Sequence, residues 1–303
     1  MANSGDDRCL GGRLPPAGPG VGNWRVSKEP RSYSLVVSDA NDYVKLRATF
    51  DEDAVRYDRA RPRYPAQMFD DLAAGGAAPG AGVLEIGCGT GQATVSLAER
   101  GYRIVAVELG AELAAVARRN LAGFDAVEIV TGAFEAWPLP GEPFDVVFAA
   151  TAFHWIDPAV RVSKSADALR PSGLLATVAT HHIAGGTWTE AFFAQIQQCY
   201  ERFDPSTPPG LRLQTARDIV EDDRELTASG RFGPAKFYRY EWELSYSTAD
   251  YLDVLLTYSS HRALPDGQRS ALLDCVARLI DVDHGGRVVK RYLTELRIAQ
   301  RVR

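Results

Sequence analysis

The chain has 303 residues, 46% hydrophobic and 24% charged, with a formal net charge of −5. That balance fits a globular protein with one large core and an elaboration on it, and it offers no global basic field for nucleic acid. No apolar run approaches the roughly 20 residues of a membrane helix, and the opening MANSGDDRCLGGRLPPAGPG has no apolar leader segment.

Residues 1–40, rich in Gly, Pro, Ser and charge, predict a disordered tail. Residues 41–80 predict a helical N-terminal cap, with a short helix around Phe50–Tyr57, an extended turn through RARPRYP, and a second helix after Pro65 that Gly75 and Gly76 end. From residue 81 to 183 strand and helix alternate. Strands are expected at 82–87, 103–108, 127–130, 144–150 and 173–180, with helices at 91–100, 111–121 and 158–170. Runs such as IVAV and FDVVF suit strands buried on both faces, and the crossovers are long enough for right-handed βαβ units. The fold class is therefore α/β, a doubly wound, mostly parallel sheet. Residues 184–285 predict a lid of helices at 188–202, 247–258 and 267–281, with a strand near 237–245, and residues 286–303 a last strand completing the core. The four cysteines, Cys9, Cys88, Cys199 and Cys275, are scattered without a CxxC, which points to a reducing, cytoplasmic compartment.

The stretch VLEIGCGTGQAT runs a buried strand into Gly87, Gly89 and Gly91 and then a helix. The spacing is GxGxG. Gln92 stands where the dinucleotide fingerprint needs a third small residue, and no Lys-Ser or Lys-Thr pair makes a phosphate loop. Glu108 closes the next strand, 17 residues after Gly91, where a carboxylate can accept from both hydroxyls of a ribose. Hydrogen bonds to a charged group are worth about 1.5–3 kcal/mol, so losing Glu108 should weaken ligand binding roughly tenfold or more.

EIGCGTG, VELG, FDVVFAATAFHWIDP and LRPSGLLA, in that order, resemble the motifs of class I S-adenosylmethionine-dependent methyltransferases, nearest to the small-molecule "type 11" group that includes trans-aconitate methyltransferase-like enzymes. The resemblance covers residues 48–182, and LTELRIAQR in the last strand also fits it. It implies a seven-stranded Rossmann-like sheet and S-adenosyl-L-methionine as cofactor, with S-adenosyl-L-homocysteine as product. By that resemblance Glu85 and Gly87 line the methionine end, Gly87, Gly89 and Gly91 let the backbone approach, Glu108 holds the ribose and Leu109 packs on adenine. Ala133 and Phe134 border the adenine edge, Ala150 and Thr151 lie beside the sulfonium, Arg61 meets the methionine carboxylate and Tyr57 covers the donor methyl. Relatives often carry an acid where this chain has Ala133, so adenine recognition would rest on backbone groups and packing, with Glu135 structural.

Methyl transfer is an in-line displacement whose leaving group departs neutral, so positioning and water exclusion carry most of it. Phe153, Trp155 and Tyr57 are candidates for aromatic faces near the cation. His154 is the candidate base if the acceptor must lose a proton, and His181 and His182 are candidates for the acceptor pocket. No metal is expected, since the His, Cys and carboxylate spacings match no ligand set. The expected partner is a small-molecule acceptor, with no nucleic acid and no membrane; homo-oligomerisation stays open. Three alternatives remain. One is methylation of a macromolecule, although AATAF replaces an Asn-Pro-Pro-Tyr-like motif. Another uses the bound sulfonium for rearrangement, cyclisation or regulation. The third, a nicotinamide oxidoreductase, is disfavoured by Gln92.

Overall fold

The computed structural model describes residues 46–302; the tail expected over 1–40 and the first residues of the cap lie outside that range. The helices are α1 (Ala54–Ala60), α2 (Ala66–Ala74), α3 (Thr94–Glu99), α4 (Ala111–Asn120), α5 (Pro158–Ala168), α6 (Thr187–Phe203), α7 (Arg224–Ala228), α8 (Thr248–Leu255), α9 (Ser259–Arg262) and α10 (Asp266–Asp283). The strands are β1 (Gly82–Ile86), β2 (Arg103–Glu108), β3 (Val127–Thr131), β4 (Phe144–Ala150), β5 (Leu169–His182), β6 (Lys236–Ser247) and β7 (Arg287–Gln300).

They form one seven-stranded sheet in the order β3-β2-β1-β4-β5-β7-β6. The first five are parallel, while β7 runs antiparallel between β5 and β6. This is the doubly wound, mostly parallel, Rossmann-like sheet that the sequence predicts. The order reverses at β1, so the crevice beyond the carboxyl ends of β1 and β4 is where an open sheet of this kind takes its ligand.

Burial explains the central strands. Val83, Leu84, Val146, Val147 and Phe148 are nearly inaccessible, because helices cover both faces. One face packs Met68, Phe69 and Leu97 from α2 and α3, and the other Val162, Ala166 and Leu226 from α5 and α7. Helix starts follow local chemistry. Asp53 caps α1 by accepting from the Arg56 N–H, and Asp157 caps α5 by accepting from Ala159, with Pro158 at the first position. The helix expected from residue 91 begins at Thr94, because Gly91 lies at φ +96° and the chain is still turning.

The lid has its own core. Phe192 and Ile196 of α6, Tyr251 and Val254 of α8, and Leu272, Val276 and Ile280 of α10 pack with Val288 and Tyr292 of β7. Cys199 of α6 is disulfide-bonded to Cys275 of α10, with Cα atoms 5.9 Å apart. The expectation of reduced thiols fails for this pair: the two are 76 residues apart in sequence, and helix packing brings them together. Cys88 is the free, buried cysteine among the described residues.

Candidate active site

A cavity of about 1260 Å³ opens beyond the carboxyl ends of β1, β4 and β5, under the cap and the lid. Its floor at one end is the glycine turn. Gly87 sits at φ +70°, and a Cβ there would lie 2.6 Å from the Ala152 Cβ, so no other residue fits without moving the β4 end. Gly89, at φ +59°, donates its N–H to Glu108 Oε2 at 2.8 Å, and Gly110 N–H donates to Oε1 at 2.9 Å. Glu108 thus clamps its own loop. An ionised carboxylate has about four acceptor positions, so two backbone bonds leave capacity for two hydroxyls. Burial raises its pKa, opposed by the Gly110 and Gly89 amides.

Leu109 is 38% exposed at the rim, while Ala133, Phe134, Ala150 and Thr151 line the cavity near the same end. Thr151 has φ +52°, and its hydroxyl donates to the Ala150 carbonyl, so Tyr64 O–H donates to it at 2.9 Å. Tyr64 is therefore part of the wall. Gly91 does not line the cavity. It turns toward Leu121, whose Cδ1 would stand 3.3 Å from an added Cβ, so its demand is packing against α4 rather than approach to a ligand. Phe153 is also turned away. It is buried in the core below the sheet, under the Arg161 and Arg297 guanidinia.

Glu85 is 1% exposed and lines the cavity, yet its Oε2 has no hydrogen-bond partner. Burial pushes its pKa up to about 7; the Thr94 hydroxyl opposes the rise and the Glu108 charge adds to it. Tyr57 lies against Gly89, with its Cε1 3.3 Å from where a Cβ would be, and Arg61 sits 5.0 Å over its ring. Arg61 donates to the Thr257 carbonyl at 2.8 Å and also covers the Tyr258 ring at 4.6 Å. The cap is tied down on both sides. Asp58 accepts from Thr90 and Asn120 beside the glycine turn, and Asp253 of the lid pairs with Arg56 and Arg59. Glu135 binds Arg47 at 2.6 Å and accepts from Asp157 N–H, a structural arrangement.

His154 faces the cavity from the turn after β4. Its side chain is exposed to the cavity's solvent, which weakens the desolvation that, with the Arg161 charge and His181, lowers its pKa, and its imidazole is neutral at pH 7. His181 and His182 both line the cavity, although they are adjacent in β5, because the cavity wraps over the strand end. Beyond them lies a residue that sequence reasoning missed. Lys290 of β7 is 1% exposed and lines the cavity. Its Nζ donates to Tyr258 Oη at 3.1 Å, and Tyr258 Oη is 3.2 Å from His182 Nε2. The signal was present: Val288, Lys290, Tyr292, Thr294, Leu296 and Ile298 share one face of the strand, and a lysine in that row must be buried.

These residues fit a sulfonium nucleoside. Bare backbone at Gly87 and Gly89 admits close approach, Glu108 keeps acceptor capacity, and the partnerless Glu85 oxygen and the Arg61 guanidinium offer opposite charges for an amino-acid end. Among the described residues no group of three or more His, Cys, Asp or Glu could hold a metal ion.

Residues 84–177 match the family described as a methyltransferase domain. The chain is 38% identical over 122 residues, 40% of its own length, to a methyltransferase of Mycobacterium tuberculosis whose function is uncharacterised, and it spans about half, 48%, of that relative. It is 26% identical over 232 residues to a malonyl-[acyl-carrier protein] O-methyltransferase of Serratia marcescens, covering 75% of this chain and 82% of the relative. A solved structure from Anaeromyxobacter dehalogenans, named as a type II methyltransferase, superposes with a TM-score of 0.57 at 24% identity, over 80% of this chain and 98% of that one, a likeness of fold. The matched segment holds both the glycine turn and the acidic end of β2, so the likeness to a methyltransferase domain falls on the part of the chain that forms the nucleoside-sized end of the cavity.

Proposed function

We propose that the protein transfers the methyl group of S-adenosyl-L-methionine to a small-molecule acceptor bound under the lid. The observation that carries this reading is the single cavity joining the Glu108-clamped glycine turn to the lid. At about 1260 Å³ it exceeds the roughly 300–1,000 Å³ of a site for one drug-sized ligand, which leaves room for donor and acceptor together.

When bound, the cofactor supplies an electrophilic methyl on a positively charged sulfur. Glu108 and the Gly87–Gly89 backbone hold the nucleoside half. Glu85 and Arg61 take the charged ends of the amino-acid half, and Tyr57 covers the space between. The ion pairs of Asp253 with Arg56 and Arg59 tie the cap to the lid beside the cavity. His154, neutral at pH 7, accepts a proton from an acceptor that must lose one.

Incubation with methyl-labelled cofactor and a fractionated metabolite extract tests the reading. Label appearing in a low-mass product supports it; label confined to RNA or protein, or saturable binding without transfer, contradicts it. In the same assay His154→Ala should leave cofactor affinity unchanged and slow turnover. Turnover equal to wild type would remove His154 from the reaction.

A further inference from the structure

Lys290 presents a buried charge that the protein itself does not balance. Among the described residues it forms no ion pair; its hydrogen-bond partner is Tyr258 Oη, and the rings of Tyr258, Tyr292 and Tyr251 stand 5.2, 5.3 and 5.5 Å from Nζ. Asp204, which also lines the cavity, directs both carboxylate oxygens to Ser206 and Thr207. Arg61 lies 4.6 Å from the centroid of the Tyr258 ring that Lys290 approaches, so a second cation repels rather than compensates the first. Burial, with the Arg61 charge, lowers the Lys290 pKa, and a ligand that brings a negative charge offsets that cost and holds the amine as ammonium.

The position assigns that ligand. Lys290 lies on β7, three strands from β1 in the sheet order, about 14 Å at the usual strand spacing of ~4.8 Å. The glycine turn belongs to the nucleoside, and the Lys290 end of the cavity belongs to whatever else enters it. Resting on the methyl-transfer reading, we propose that the acceptor carries a carboxylate, anchored by the Lys290 ammonium with the Tyr258 hydroxyl, its remaining body lying against the surrounding tyrosines. A carboxylate is favoured over a phosphate because His182, held neutral by burial and by the Lys290 and Arg61 charges, adds no second positive charge beside the lysine. The hydrogen-bond chain from Lys290 through Tyr258 to His182 fixes the geometry of the anchor.

The test is calorimetric titration of the full chain, saturated with S-adenosyl-L-homocysteine, with octanoate and benzoate and with the matching octanamide and benzamide. The acids should bind about tenfold or more tightly than the amides. Lys290→Met should abolish that preference without altering homocysteine-product affinity, and Lys290→Arg should retain it. Equal binding of acid and amide by the wild type, including binding of neither, overturns the proposal, as does a preference that survives in Lys290→Met or inorganic phosphate binding more tightly than the acids. The wild-type comparison stands even if Lys290→Met fails to fold. An acid preference in a protein that takes up no S-adenosyl-L-homocysteine would overturn the methyl-transfer reading and keep the anion site.

Discussion

Two glutamates one strand apart meet opposite fates at the residue scale. Glu108 has a backbone amide on each oxygen, whereas Glu85 has a buried oxygen without a partner. Burial raises the Glu85 pKa to about 7. An unfolded glutamate ionises near pH 4.5, so between about 4.5 and 7 the folded state holds a proton that the unfolded state has lost. Glu85 therefore contributes stability below pH 4.5 that is lost as pH rises through 7, up to ~3 kcal/mol. Glu85→Gln removes that titration. The melting temperature of the unliganded Gln variant should rise relative to wild type between pH 5 and pH 8; a difference that stays constant across that range would refute the assignment. Sequence showed which residue would stand here, because it ends a buried strand before a glycine turn. It did not show that Gly91 would serve packing, since a positive φ marks a turn equally whether ligand or leucine fills the space beside it. Lys290 was hidden for a different reason. A basic pair in VVKRYL looks like solvated polarity until the two-residue period is extended to Ile298.

Elements were legible where burial is complete. The parallel strands β1, β2 and β4 are mostly apolar, with Glu85 and Asp145 as the exceptions inside β1 and β4, and their ends were readable to a residue or two. The lid helices were legible as helices, but their partners were not, because an amphipathic face states that it is covered and not by what. The Cys199–Cys275 bond is the clearest case. It joins α6, which lends Phe193 and Tyr200 to the cavity wall, to α10, which packs behind it in the lid core. Closing a loop of that length contributes up to ~4 kcal/mol in the chain-entropy account. Reduction, or Cys275→Ser, should lower the melting temperature by several degrees with the core sheet intact by circular dichroism. Unchanged melting under reductant, or two titratable thiols at positions 199 and 275 in the untreated protein, would contradict the pairing.

For the whole molecule, composition set the class and left the chemistry to one edge of the sheet. Among the described residues no helix is long and apolar enough to cross a membrane. The sheet order, reversing at β1 and finishing with an antiparallel β7 between β5 and β6, places the glycine-turn end and the Lys290 end of one cavity on opposite sides of β4, and the proposed function gives the first to the nucleoside and the second to the acceptor. The cap reaches both ends, through Asp58 to the glycine turn and through Arg56 and Arg59 to the lid, so a ligand at either end is covered by the same short helix. That division depends on a sulfonium nucleoside occupying the glycine turn. The most direct measurement is isothermal titration of the protein with S-adenosyl-L-homocysteine. The account predicts one saturable site per chain in the wild type and affinity roughly tenfold or more weaker in Glu108→Ala. No detectable heat with this ligand or with S-adenosyl-L-methionine, together with saturation of the same cleft by a nicotinamide dinucleotide, would contradict it.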